Sequence, residues 1–244
     1  MYFNDTTNNT GLIQDCESVL GMEDSEISAD TTTLKTFTRF INIWYRRVNS
    51  WIWEATDTWE YDDSNWADLP IARTTIVNNQ QDYAIPSTAQ RVDRVEILDI
   101  SGDYQLLKPF DKDDIKDSAM SEYLETAGLP THYDMTGRSI FLYPKPSTAK
   151  VTALLGLKIY FVRDIKEFIS TDTTVEPGFV NNFHRLLSLG ASYDYCISYE
   201  VGEKANFIKG QINEMKEELK TFYASRVPNI PINVSGASNF SNYE

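Results

Sequence analysis

Between Leu34 and Ile52 apolar residues return every three or four positions: Leu34, Phe37, Phe40, Ile41, Trp44, Val48, Trp51 and Ile52. A spacing near 3.6 sets them on one stripe of an α-helix. Asp30 or Thr31 stands where a cap belongs. The helix then runs for about 20 to 25 residues, roughly 30 Å or more at ~1.5 Å per residue. A stripe of that length has to be covered by other elements.

The cover is expected from the far end of the chain. A helix opening at Pro177 or Gly178 aligns Phe179, Phe183, Leu186, Leu187, Gly190, Ala191 and Tyr195. Another, opening at Glu203, carries Phe207, Ile208, Ile212, Met215, Leu219 and Phe222 at helical spacing. Glu214 with Glu218 and Lys216 with Lys220 mark its solvated side. A short helix from Thr10 to Met22 presents Leu12, Ile13, Cys16, Val19 and Leu20, with Gly21 as its stop.

The middle of the chain changes period. Arg73–Val77 and Asp82–Pro86 read as strands around the Asn78–Gln81 turn. Arg91–Ile100 alternates and turns at Ser101-Gly102-Asp103 into Tyr104–Lys108. His132–Asp134 and Ser139–Pro144 form a second hairpin through Gly137, and Lys150–Phe161 is a longer strand. Between the two hairpins, Asp111–Glu125 reads as a short polar helix. The expected fold is α+β. An antiparallel helical bundle comes from 31–69 and 163–226, and an antiparallel β insertion of five to seven strands from 70–162. An acidic extension with a short helix occupies 1–30. A Ser/Asn-rich tail without a period, flexible until bound, occupies 227–244.

No constellation of catalytic residues stands out. His132 and His184 lack a nucleophile nearby, since twelve residues of one helix separate His184 from Cys196. Cys16 and Cys196 are far apart and read as small buried hydrophobes. No phosphate loop is present. Asp111, Asp113, Asp117 and Glu122 fall on calcium-loop positions, but Ile115 and Lys116 replace a ligand and the required glycine. The expectation is therefore a protein that is not an enzyme and holds no cofactor or metal. The apolar runs fall short of the ~18 residues of a membrane span. Met1–Thr10 lacks the regions of a signal peptide, which points to synthesis in a cytoplasm.

Charge is distributed in blocks. The net charge is −14, against tight wrapping of nucleic acid. Residues 1–33 hold seven acidic and no basic residues, and 54–68 hold six acidic and no basic ones. Between them, Leu34–Trp53 carries Lys35, Arg39, Arg46 and Arg47 with no acid. Such blocks suit either a protein that meets copies or neighbours edge to edge, or a set of solvated faces. All five tryptophans lie between Trp44 and Trp66. Trp51, Trp53, Trp59 and Trp66 are candidate partner contacts, with packing on the chain's own sheet as the other reading. In the tail, Val227, Ile230, Phe240 and Tyr243 join that set.

The order of the short motifs carries a resemblance. Tyr83-Ala84-Ile85-Pro86 precedes Arg91-Val92-Asp93-Arg94-Val95, then Leu106-Leu107-Lys108-Pro109. Gly128-Leu129-Pro130-Thr131-His132-Tyr133 and Ile140-Phe141-Leu142-Tyr143-Pro144-Lys145-Pro146 follow. Lys158-Ile159-Tyr160 and Pro177-Gly178-Phe179, with Phe183-His184, complete the series. This succession, over about residues 30 to 200, resembles the head-to-tail adaptor proteins of tailed phages, also called tail tubular or head-completion proteins. The resemblance implies a virion neck component, a ring of twelve copies below the portal protein. It would meet the portal above and a tail or next ring protein below. DNA would pass through its channel without specific binding, and no membrane is involved. The acidic N-terminal extension and the tail after Arg226 lie outside that pattern. A tail or baseplate protein that binds a receptor or carbohydrate is the alternative, because exposed aromatics and acids suit sugar stacking.

Overall fold

The computed structural model describes residues 1–56, 64–111 and 126–226. The chain divides into two compact units. One joins Met1–Asp5 to Asp62–Asn181, and the other joins Thr6–Tyr61 to Asn182–Glu244. The first holds the strands, the second the helices, so the fold is α+β.

In the helical unit α1 is Leu12–Leu20, α2 Glu26–Ala29 and α3 Thr31–Ala55. After a 3-10 turn at Asn181–Phe183, α4 is Arg185–Ser198 and α5 Gly202–Ser225. Asp30 caps α3 by accepting from the Thr33 hydroxyl and from the Thr33 and Thr32 amides, and those bonds, the hydroxyl's foremost, hold its carboxyl below the usual range. Gly21 ends α1 in the left-handed region at φ 68°. The α3 stripe is buried through Leu34, Phe37, Ile41, Trp44, Tyr45, Val48 and Ile52. Phe37 stacks on Tyr195 near the end of α4, and Trp44 meets Tyr193 and Gly190 farther back, so α3 and α4 run in opposite senses. Trp51 meets Lys216 and Glu54 meets Lys220, so α3 and α5 run in the same sense.

Two sequence expectations change here. The helix expected from Pro177 or Gly178 opens at Arg185, and Phe179 is buried ahead of it in irregular chain. Phe207 and Ile208 both belong to the apolar series at helical spacing. Neighbouring helical residues are 100° apart, and only Ile208 faces in, with Ala205, Ile212, Leu219 and Tyr223.

In the β unit the strands are β1 Ile71–Thr74, β2 Asp82–Ala84, β3 Ala89–Leu98, β4 Tyr104–Leu106 and β5 Lys108–Pro109. They continue with β6 Ala127–Gly128, β7 His132–Thr136, β8 Ser139–Tyr143, β9 Lys145–Pro146 and β10 Leu157–Arg163. One sheet has the order β1-β10-β3-β4, a second β2-β8-β7-β5, and β6 pairs with β9. Pairing is antiparallel except for β5 with β7 and β6 with β9, which are parallel and two residues long. Among the described residues ten short strands stand where five to seven longer ones are expected, because the chain changes sheets within its runs. Leu107, buried, separates β4 from β5, and Pro109, Pro144 and Pro146 have no amide to extend a ladder. Both sheets feed one core, with Tyr83, Ile140 and Leu142 from one and Val95, Ile97, Leu157 and Ile159 from the other.

The N-terminal segment is built into these units. Phe3 is buried, stacks on Phe168 at 4.8 Å, and donates its amide to the Val175 carbonyl. Glu17 on α1 is buried and accepts from the amides of Ser25, Ile27 and Ser28, which fixes the turn into α2.

Candidate interaction surfaces

Both cysteines and one of the two histidines are turned inward, while His132 is half-buried on β7. Cys16 and Cys196 are buried free thiols, and burial pushes both up from the ordinary thiol range. His184 is buried at the start of α4. Among the described residues no three His, Cys, Asp or Glu stand together as metal ligands. Of the calcium-like set, Asp113, Asp117 and Glu122 lie outside the described residues, as does most of the Asp111–Glu125 segment. No described helix is long and apolar enough to cross a membrane.

The tryptophans fall in different environments. On α3, Trp51 meets Trp44 edge-on at 6.1 Å and carries the Lys216 ammonium 4.8 Å from its ring. Trp53, two residues on, points away and is exposed. Trp66 belongs to the β unit. Its indole N–H donates to the Asp164 carbonyl at 3.2 Å, and the Arg163 guanidinium lies 4.8 Å over its ring. Arg163 is itself buried and pairs with Asp68 at 2.9 Å. A desolvated guanidinium needs such partners, so one face of Trp66 is committed to holding Arg163 in place. Trp59, Val227, Ile230, Phe240 and Tyr243 lie outside the described residues.

Two apolar surfaces emerge that the sequence reading missed. At one end of the β unit, Ile76 donates to the Ala153 carbonyl and Ile100 to the Lys150 carbonyl, which gathers three loops. Val77, Ile100, Leu154 and Leu155 are exposed there. Leu155 sits at φ 51°, and the next residue must be glycine, because a Cβ on Gly156 would fall 1.9 Å from the Thr152 carbonyl oxygen. The only sequence signal was the Leu154-Leu155-Gly156 run inside what reads as a strand. The helical unit has the second surface, where Ile197, Tyr199, Val201 and Phe207 are exposed around the α4–α5 turn. Phe207 reads as core until its buried neighbour Ile208 fixes the phase of α5.

Both surfaces hold large apolar residues outward, side by side. A family model described as SU10 adaptor protein matches residues 12–229. No curated protein matches the chain.

Proposed function

The chain belongs to the SU10 adaptor protein family, a family of phage head-to-tail adaptors, and from that membership we propose that it works as one subunit of a ring below the portal. The match over residues 12–229 carries this reading, because it spans both units. In the proposed particle the ring is a dodecamer that continues the DNA channel and presents a docking face to the next tail protein. The helical unit is the bundle of the ring wall, and the β segment 70–162 is its insertion. The residues beyond Arg226 and the tryptophans Trp53, Trp59 and Trp66 are proposed contacts to neighbours.

The work is mechanical, with no catalytic step and no cofactor. A chain of net charge −14, repeated around a channel, repels the phosphate backbone, so DNA slides through without being held. Assembly of this kind is heterologous, since each copy offers one surface to the copy before it and a different one to the copy after it.

The test is to weigh the complex that the purified chain makes with the portal protein of the same virion. A mass above the portal by a fixed whole number of 27.9 kDa chains is expected, and twelve is the number proposed. A chain that stays off the portal, and as a monomer or trimer binds glycans, would overturn the adaptor reading.

A further inference from the structure

The outward side of α3 is a basic stripe. Lys35, Arg39, Ile43, Arg46 and Trp53 are exposed at spacings of three, four and seven, which is one helix face. No acidic residue falls between Thr31 and Trp53. Two large apolar side chains interrupt the charge, Ile43 at 40% exposure and Trp53 at 36%.

The outward side of α5 has the opposite sign, although the helix holds equal numbers of glutamates and lysines. Three of its four lysines are drawn inward. Lys204 donates to the Leu20 carbonyl, Lys216 lies over Trp51, and Lys220 pairs with Glu54 at 3.0 Å. Glu203, Glu214, Glu217 and Glu218 stay exposed, with Lys209 alone for balance. Phe207, at 68% exposure, stands among them. Each face is thus a charged stripe around exposed apolar groups, and the two signs are opposite.

We propose that these two faces are the two halves of one interface, the basic α3 face of one copy seated on the acidic α5 face of the next. This rests on the ring reading above and names the surface that closes the ring. Ile43 and Phe207 supply the apolar contact, and the charges set orientation and register. The levels agree as well. Within one copy Trp51 is level with Lys216, and Glu54 with Lys220. Helices of equal rise keep that offset along their length. In a ring whose axis follows these helices, one copy is related to the next without change of height. Ile43 then comes level with Phe207, Arg39 with Glu203, and Arg46 lies within one turn of Glu214.

The test uses two charge-reversed chains. One carries Lys35→Glu, Arg39→Glu and Arg46→Glu, the other Glu203→Lys, Glu214→Lys and Glu217→Lys. All six positions are exposed. Each chain alone, added to the portal, is expected to close at least about tenfold fewer rings than the unmodified chain. An equal mixture is expected to restore them, because reversed faces match when the two chains alternate around the ring. Restoration also shows that both variants fold. Rings that form undiminished from either variant alone would overturn the interface and leave the adaptor reading standing. So would undiminished rings whose α3 variant has lost affinity for duplex DNA, which would assign the basic stripe to DNA. Failure of the mixture to restore rings would overturn it too. Failure of the unmodified chain to form any ring on the portal would remove both readings together.

Discussion

Gly190→Ala is expected to destabilise the helical unit by about 2 kcal/mol, even though alanine is the better helix former. A Cβ at this position would stand 2.1 Å from Trp44 Cδ2 and 2.3 Å from its Cγ. The indole has little room to yield. Its N–H donates to Asp194 at 2.9 Å, the Arg47 guanidinium lies 4.6 Å over its ring, and Trp51 and Tyr193 meet its edges. Burial raises the Asp194 carboxyl above its usual range, which the bond from Trp44 partly offsets. Overpacking a fixed aromatic costs about 3 kcal/mol, and the gain in helix propensity returns only about 1 kcal/mol. Urea unfolding in two backgrounds checks the cause. With Trp44→Leu in place the added methyl has space, and alanine at 190 is expected to be neutral or stabilising. An equal loss in both backgrounds would show that the close approach of α3 and α4 is not what requires glycine here.

Glu17→Ala is expected to cost about 3 kcal/mol and to loosen the turn that leads into α3. Oε1 accepts from Ile27 and Ser28 at 2.8 and 3.0 Å, and Oε2 accepts from Ser25 at 3.2 Å. Removing the carboxylate leaves amides without their acceptor at a place where Ile27 is buried. Glu17→Gln keeps a carbonyl oxygen for Ile27 and Ser28 and is expected to lose less than half as much. Thermal melts of the two variants provide the comparison. Equal melting temperatures for alanine and glutamine would show that the acceptor oxygens do not hold the turn.

The helices were legible because a buried stripe leaves a periodic trace. Leu34 to Ile52 marked both the existence and the facing of α3, and of the two candidate caps, Asp30 and Thr31, Asp30 is the one that caps it. α5 was legible as a helix but not in its phase. Phe207 and Ile208 are adjacent and equally apolar, so only the three-dimensional cover of Ile208 decides which one faces out. Lys216 and Lys220 read as part of a solvated side, yet they, like Lys204, reach back to partners on other elements. Their engagement, invisible to spacing, is what makes the outer face of α5 acidic. The strands were legible as alternation, but not the change of sheet at Leu107, because a single buried residue between two short ladders has no period. Glu17 gave no signal at all. An acid among other acids reads as surface until the chain folds three amides onto it.

The proposed function is one of assembly, so imaging the chain with the portal protein of the same virion by electron cryomicroscopy tests the account most directly. The expected map shows a closed ring of identical copies sharing the portal's axis, with α3 of each copy against α5 of the next and an open central channel. A map in which the copies sit apart from one another, or bind off the axis without enclosing a channel, would contradict it.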